Sequence, residues 1–174
     1  MKYFIFSDPH MGHEKMHLGG HRPKGYEDKI IKSIKNNVGI MDVIICLGDV
    51  SWYEHTKWHE LITSCHEGKS ILVKGNHDKK TDSWHYDKGW DMVCTSFTIK
   101  RLKKNILFTH KPQVKTELWD INFHGHLHDT GHRDLEFKDV LTESHVLIEM
   151  ESNLNVRCLD SLIDAKIKEI GTYN

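Results

Sequence analysis

The sequence predicts an α/β (α+β) protein that contains two mixed sheets. In the first half of the chain, short apolar runs alternate with amphipathic stretches in the order β-α-β-α-β, which is typical of a sheet with helices on its faces. In the second half, short apolar runs follow one another across turns without helical spacing between them, which predicts hairpins and a second sheet. A length of 174 residues and a hydrophobic content of 38% are enough for one domain with its own core, which we expect to span residues 1–174.

Three strands and two helices are predicted in the first half. Residues 2–7, 43–47 and 70–73 are apolar runs, so each is expected to be a strand buried on both faces. Between these runs, apolar residues recur three and four positions apart, as they do on one face of a helix. The recurring positions are Ile30, Ile31, Ile34 and Val38 in the first helix and Trp58, Leu61, Ile62 and Cys65 in the second.

The second half is predicted to contain short strands at residues 92–94, 97–99, 105–109, 121–123 and 146–150. The basic run at 100–104 lies between two of these strands and is expected to be a solvated hairpin turn. Residues 154–158 are expected to form a last strand. Ser161 with Asp164 predicts the N-terminal cap of a final helix that ends before Gly171.

Composition argues against several classes of protein. The formal net charge is -1, from 24 Lys and Arg against 25 Asp and Glu, which disfavours a protein that coats long nucleic acid or an acidic membrane. No apolar run approaches the roughly 18 residues of a membrane helix, and the first residues indicate a strand rather than a signal peptide. The four cysteines have no CxxC spacing and are expected to be free thiols, so the predicted location is the reducing cytoplasm.

Five of the predicted strands end in side chains of the kinds that bind metal ions. These are Asp8 with His10, Asp49, Asn76 with His77, His110, and the histidines of residues 124–128. If the strand ends meet at one edge of the fold, that edge holds two carboxylates, an amide oxygen and several imidazoles, which is more than one cation needs. Two divalent ions about 3.5–4 Å apart would suit this set, because one carboxylate can bridge them. The resulting positive pocket would suit a phosphoryl group.

In their order along the chain, these motifs resemble those of the calcineurin-like metallophosphoesterase family. They are D-x-H at 8–10, G-D at 48–49, G-N-H-D at 75–78, a single histidine at 110, and G-H-x-H at 125–128. The segment SDPHMGHEKM and the pair Arg22-Pro23 are similar to the small bacterial and phage members of that family. The resemblance implies a four-layer α/β/β/α sandwich, with two mixed sheets flanked by helices. It also implies a hydrolase acting on a phosphodiester or a phosphomonoester of nucleotide type.

The resemblance further implies a role for each residue of the motifs. Asp8, His10 and His128 would hold one ion, Asn76, His110 and His126 the other, and Asp49 would bridge the two. A hydroxide that bridges the ions would attack phosphorus, with His77 as the general acid for the leaving group and Asp78 orienting its ring. Manganese is expected from the habit of the family, and iron, zinc, cobalt or nickel would also suit imidazole and carboxylate ligands.

Four further residues are candidates for other roles. His13 and Arg22 lie in the loop of residues 11–25, where they either contact substrate or make structural hydrogen bonds. His55 and His59 are four residues apart on a predicted helix. Because the glutamate of a zinc-protease motif is missing between them, they are expected at the surface rather than at a further metal site.

Two alternatives to a phosphoesterase that acts on small nucleotide-type substrates stay open. A small metal-dependent nuclease would act on short or single-stranded nucleic acid, although the balanced charge gives it no long basic surface. A catalytically silent, metal-bound scaffold would lack a ligand or the acid, and neither is missing from the sequence. Lys111 departs from the aromatic residue of small relatives and predicts a changed opening beside the second ion. A homodimer is compatible with a domain of this size, but no segment requires one.

Overall fold

The computed structural model describes residues 1–128, 134–151 and 153–171. In these residues the chain forms helices and strands in the following order. They are β1 (Tyr3–Phe6), α1 (Glu14–Leu18), α2 (Tyr26–Asn37), β2 (Val43–Cys46), α3 (His55–Ser64), β3 (Lys69–Val73), α4 (Asp82–Asp87), β4 (Met92–Cys94), β5 (Ser96–Arg101), β6 (Lys104–Thr109), β7 (Ile121–His124), α5 (Asp134–Phe137), β8 (His145–Leu147), β9 (Arg157–Cys158) and α6 (Leu159–Gly171).

The strands form two mixed sheets. The five-stranded sheet has the order β4-β3-β2-β1-β9, in which β1 to β4 are parallel and β9 is antiparallel to β1. The four-stranded sheet has the order β5-β6-β7-β8, in which β5 and β6 form an antiparallel hairpin and the other pairs are parallel. The predicted sandwich of two mixed sheets flanked by helices is therefore confirmed.

The five-stranded sheet is buried on both faces because it separates two apolar cores. Since side chains alternate along a strand, Phe4 and Phe6 of β1 contribute to the core that contains Ile30 and Ile34 of α2, whereas Ile5 contributes to the other. The second core lies between the sheets and includes Phe108, Phe123, Leu159 and Ile163. The absence of polar alternation in these strands follows from this double burial.

Two sequence predictions about the second half are wrong. Residues 92–94 form β4, which pairs with β3 in the first sheet, because the short helix α4 supplies the crossover that parallel pairing needs. The final helix begins at Leu159 rather than after a cap at Ser161. No loop separates α6 from β9, which ends at Cys158. The first residue of the helix, Leu159, is fully buried in the core between the sheets.

The hairpin predicted around the basic run is confirmed. Strands β5 and β6 are joined at Leu102 and Lys103, whose φ angles of 48° and 63° are those of a tight turn that suits the twist of a hairpin. The described residues contain no helix that is both long and apolar enough to cross a membrane.

Candidate metal centre

Polar residues from both sheets meet at one edge of the sandwich. Asp8 and His10 follow β1, Asp49 follows β2, Asn76 follows β3, His110 follows β6, and His126 and His128 follow β7. All five strands present their carboxyl ends here, which is where open α/β sheets usually place their sites. The structure thus brings together at this edge the seven residues that the sequence proposes as ligands.

The first group consists of Asp8, His10 and His128, whose ligand atoms lie within 4.8 Å of one another. The two Nε2 atoms of the histidines are 3.2 Å apart. Asp8 Oδ1 lies 3.8 Å from His10 Nε2 and 3.6 Å from His128 Nε2. All three side chains are buried, so their polar atoms face each other rather than water.

The second group consists of Asp49, His110 and His126, which are also buried and within the same distance limit of 4.8 Å. His110 Nε2 lies 3.5 Å from Asp49 Oδ2 and 3.2 Å from His126 Nδ1. The amide oxygen of Asn76 is 3.0 Å from the same His110 Nε2. Asn76 therefore adds a neutral oxygen to this group.

Asp49 connects the two groups. Its Oδ2 is 3.5 Å from His110 Nε2 in the second group and 3.9 Å from His10 Nε2 in the first. Its Oδ1 accepts a hydrogen bond from the backbone N–H of His77 at 2.8 Å. Burial raises the pKa of Asp49, but the hydrogen bond and charge of His110 outweigh burial and lower the pKa to about 2. The connecting carboxylate is therefore ionised at neutral pH.

The donor set fits divalent cations. Asp8 Oδ1 and His10 Nδ1 are buried and have no hydrogen-bond partner among the described residues. A buried carboxylate oxygen without a partner is costly, and Asp8 Oδ1 is the oxygen that faces both imidazoles of the first group. Imidazole, carboxylate and amide donors suit Mn, Fe and Zn. Among residues 1–128, 134–151 and 153–171, these are the two groups in which the ligand atoms of at least three metal-type side chains lie within 4.8 Å of one another.

The backbone is strained at five of the seven candidate ligands. Positive φ angles occur at Asp8 (51°), His10 (44°), Asp49 (54°), His126 (70°) and His128 (54°). Residues other than glycine rarely adopt this region, at a cost of about 1–3 kcal/mol each. Strain of this kind persists where the surrounding fold determines the position of a functional side chain.

Two motif glycines are required by close approach. A Cβ at Gly75 would overlap the carboxylate of Asp49, and a Cβ at Gly125 would overlap the hydroxyl of Ser7 and the carboxylate of Asp8. Each glycine therefore lets one strand-end loop touch a carboxylate that another loop supplies. The G-N-H-D and G-H-x-H motifs begin with glycine for this reason.

The role predicted for Asp78 needs correction. Its carboxylate accepts hydrogen bonds from the backbone N–H groups of Asp49 at 2.7 Å, Gly75 at 2.9 Å and Val50 at 3.1 Å. These bonds use both carboxylate oxygens. Among the described residues, no hydrogen bond joins Asp78 to the His77 ring. Asp78 therefore fixes the loops that carry Asp49 and Asn76 instead of orienting the His77 ring.

Trp52 contacts the His77 ring, and the sequence analysis did not propose it as a residue of the site. Its ring centroid is 4.5 Å from that of His77, and it stacks on His13 at 4.2 Å with the planes 23° apart. The side chain of His77 is 35% exposed, and its Nε2 lies 3.9 Å from Asp49 Oδ2. The one signal available in the sequence was the position of Trp52, three residues after Asp49.

Arg22 does not reach the open edge of the site. It is 2% exposed and donates hydrogen bonds to the backbone oxygens of Pro9 at 2.6 Å and Asp8 at 2.8 Å. The structural alternative therefore applies to Arg22, and the prediction that it contacts substrate is wrong. His13 is half-buried beside Trp52, and its contact with substrate stays a prediction.

Glu151 supports the first group and carried no signal in the sequence. Its Oε1 lies 2.8 Å from His128 Nδ1 and accepts a hydrogen bond from Arg22 at 2.6 Å. Burial raises the pKa of Glu151, but the hydrogen bond to His128 and the charge of Arg22 outweigh it and lower the pKa to about 2. A carboxylate behind a ligating histidine fixes the ring and raises its basicity.

The other histidines among the described residues lie outside both groups. His55 forms a hydrogen bond with Ser51, with His55 Nδ1 and Ser51 Oγ 2.7 Å apart. His59 was expected at the surface, but it is 1% exposed, because Trp90 packs over it and donates its indole N–H to His59 Nδ1 at 3.0 Å. His124 is buried, with its Nδ1 near the backbone oxygen of Gly125.

Comparison with known proteins identifies the family and the fold. The model of a family described as calcineurin-like phosphoesterase matches residues 1–158. A protein of unknown function from Aquifex aeolicus superposes with a TM-score of 0.76 at 22% identity, over 94% of this chain and 98% of that chain. At this identity the superposition shows a shared fold. No curated protein sequence matches the chain.

Two further superpositions have TM-scores below 0.5. An archaeal phosphodiesterase superposes with a TM-score of 0.49 at 22% identity and covers 74% of each chain. Vps29 from Chaetomium thermophilum superposes with a TM-score of 0.42 at 12% identity, over 71% of this chain and 59% of that chain.

Proposed function

The chain belongs to the calcineurin-like phosphoesterase family, and on this premise we propose that it hydrolyses a phosphodiester, or a phosphomonoester, of nucleotide type at a centre of two divalent cations. The observation that carries the proposal is the position of Asp49. Its Oδ2 lies within 4 Å of a histidine from each group, so two buried sets of ligands share one ionised carboxylate. A single cation would not need both sets.

The two groups support the following ligand roles. Asp8, His10 and His128 would hold one cation, Asn76, His110 and His126 the other, and Asp49 would contact both. When bound, the cations would supply Lewis-acid activation of water and positive charge for the phosphoryl oxygens. Manganese is the cation we propose, and iron, zinc, cobalt or nickel would suit the same donors.

His77 is the proposed general acid. Its side chain is partly exposed beside Asp49, so it can reach a phosphoryl group held at the two sites without being a ligand itself. In the proposed reaction a water molecule loses one proton to solvent and its oxygen bonds to phosphorus. The bond from phosphorus to the leaving oxygen breaks, and His77 gives that oxygen a proton and takes up another from solvent. Asp78 acts as a positioning residue through the backbone of Asp49 and Gly75.

The wider assignment is also proposed. We assign the activity to a single domain over residues 1–174 that acts in the cytoplasm on a nucleotide-like phosphate ester. A homodimer stays a prediction. A nuclease acting on short nucleic acid and a silent metal-bound scaffold are retained as outcomes of the experiment that follows.

The test is hydrolysis of bis-p-nitrophenyl phosphate and p-nitrophenyl phosphate by chelator-stripped protein, with and without added Mn²⁺. We expect turnover that depends on the cation, and the preferred ester separates a diesterase from a monoesterase. Asp49→Asn should lower kcat/KM by about a thousandfold, because both groups lose their shared anion. His77→Ala should lower kcat by about a hundredfold while leaving cation binding intact.

The matched control is His21→Ala, which changes an exposed histidine outside both groups. Cation binding without turnover of either ester would favour the scaffold. Turnover confined to a single-stranded oligonucleotide would favour the nuclease.

A further inference from the structure

A groove opens directly beside the second group of candidate ligands. It has a volume of about 620 Å³, which is within the usual range for small-molecule sites. Its lining includes Asn76 and His110 at one end and Lys111, Val114, Leu118 and Trp119 along the loop that follows β6. A molecule in this groove would therefore touch the metal centre.

The loop that forms one wall of the groove is fixed to the second sheet. Buried Asn122 accepts the N–H of Gln113 at 3.0 Å and donates to the hydroxyl of Thr109 at 2.9 Å. His145 Nε2 donates to the backbone oxygen of Gln113 at 2.8 Å. Trp119 is 5% exposed and packs against His145. The wall is therefore preorganised, which lowers the entropy cost of binding.

This fixed loop nevertheless exposes two apolar side chains. Val114 is 66% exposed and Leu118 is 80% exposed, and both line the groove. Exposed apolar surface next to a polar site is typical of a ligand-binding groove. None of the described residues that line the groove carries a carboxylate. Of its two lysines, Lys74 is paired with Asp82 at 2.8 Å, so Lys111 is the one whose charge suits an anionic ester.

The position of His77 indicates which part of a diester would enter the groove. His77 does not line it, but lines a separate cavity with His55, His59 and His85. Since the proposed acid must lie next to the leaving oxygen, the leaving group is expected on the side of that cavity. The group that stays on phosphorus would then point toward Asn76 and His110.

We propose that this groove binds the retained ester group of a phosphodiester, and that this group is uncharged, partly apolar and about the size of a nucleoside. The inference rests on the proposed function and adds the substrate class. Val114 and Leu118 would contact the apolar face of the group, while Lys111 would lie near the phosphate. The sequence already set Lys111 apart from the aromatic residue of small relatives.

The test compares two diesters with the same p-nitrophenolate leaving group, the thymidine 5′-ester and the methyl ester of p-nitrophenyl phosphate. We expect the wild type with Mn²⁺ to prefer the thymidine ester by about tenfold or more in kcat/KM. The double variant Val114→Ser/Leu118→Ser should raise KM for the thymidine ester by about fivefold, because it loses apolar contact. It should leave hydrolysis of the methyl ester unchanged.

The matched control is Ile40→Ser/Met41→Ser, since these side chains are 68% and 72% exposed before β2, at the opposite end of the strands. A loss of the same size for both esters, or no loss for either, would overturn the proposal. Bis-p-nitrophenyl phosphate serves as a third ester. If the serine double variant raises KM for this ester as much as for the thymidine ester, the groove recognises aromatic groups in general, and the proposal of a nucleoside-sized group is overturned.

A failure of the proposed function is distinguishable from a failure of the groove. If the wild type hydrolyses none of these esters, the proposed function is wrong, and binding of thymidine 5′-monophosphate is measured by calorimetry in the presence of Mn²⁺. Affinity that is about fivefold weaker in the serine double variant would still support the groove. Equal affinity in the two proteins would refute it.

Discussion

The two groups of the metal centre hold their histidines in different ways. In the first group, His128 Nδ1 faces the carboxylate of Glu151, which is itself paired with Arg22. In the second group, His110 Nδ1 lies 2.7 Å from the backbone oxygen of Leu47. A carboxylate adds negative charge behind the ring, whereas a carbonyl orients the ring without a formal charge. The first group therefore depends on a distant side chain, and the second on the backbone of a neighbouring strand end.

The groups also differ in charge before any cation binds. Burial lowers the pKa of His10 in the first group to about 3, so this imidazole is neutral and ready to act as a ligand. Burial also lowers the pKa of His110, but the carboxylates of Asp49 and Asp8 outweigh burial and raise it to about 9. A cation must therefore displace a proton from the second group.

The largest effect that separates the two groups is expected from Glu151→Gln. The amide keeps the shape of the side chain and an acceptor oxygen, but it removes the negative charge behind His128 and beside Arg22. Loss of such an outer carboxylate typically weakens cation affinity by about 10–100-fold. Calorimetric titration of chelator-stripped protein with Mn²⁺ should show this loss for one cation, with the second bound as in the wild type.

Glu143→Gln is the matched control for this titration, because Glu143 is exposed and outside both groups. If the Glu151 variant weakened both cations equally, or neither, the two groups would not differ in the way that the contacts indicate.

The sequence predicted the parts of the centre that depend on local motifs and missed those that depend on distant side chains. The ligand residues could be proposed because each follows an apolar strand within a short motif, so local sequence was sufficient. Glu151 could not be found, since it reaches His128 only through the packing of a later segment. Arg22 and Asp78 were recognised as residue types, but sequence does not tell which way a side chain points. Arg22 turned to the backbone of Asp8, and Asp78 to that of Asp49.

The sheets show the same limit. Strands with unbroken apolar runs were predictable from burial on both faces, as in β1 and β2. The partner of β4 was not predictable, because its three residues carry no information about which sheet they join. The connection through α4 decides it, and that helix is only six residues long.

A smaller effect is expected from Trp52→Leu, which should disturb the proposed acid without changing either group. The indole packs on His77 and also meets the His10 ring edge-on, with centroids 6.0 Å apart, but it supplies no ligand atom. We therefore expect kcat to fall by about tenfold while KM and Mn²⁺ binding stay as in the wild type. Trp52→Phe should restore most of the turnover, because a ring can still pack on the imidazole.

Tyr53→Leu is the control for this variant, since Tyr53 is the next residue and is 62% exposed. A rise in KM with unchanged kcat would show that Trp52 binds substrate rather than positioning His77.

The smallest effect concerns His59, a buried histidine that belongs to neither group and shows what burial does without neighbouring carboxylates. Burial, with smaller contributions from His85 and His55, lowers its pKa from 6.5 to about 3. Below pH 6.5 the unfolded chain binds a proton that the folded protein does not, so stability is full above that pH and falls as the pH drops toward 3. The loss is at most about 1.4 kcal/mol per pH unit. His59→Gln keeps an acceptor for Trp90 and should flatten this part of the profile in urea unfolding of chelator-treated protein, whereas the exposed control His21→Gln should not. Parallel profiles for wild type and His59→Gln would mean that His59 is protonated in the folded protein, and that burial alone does not keep a histidine of this fold neutral.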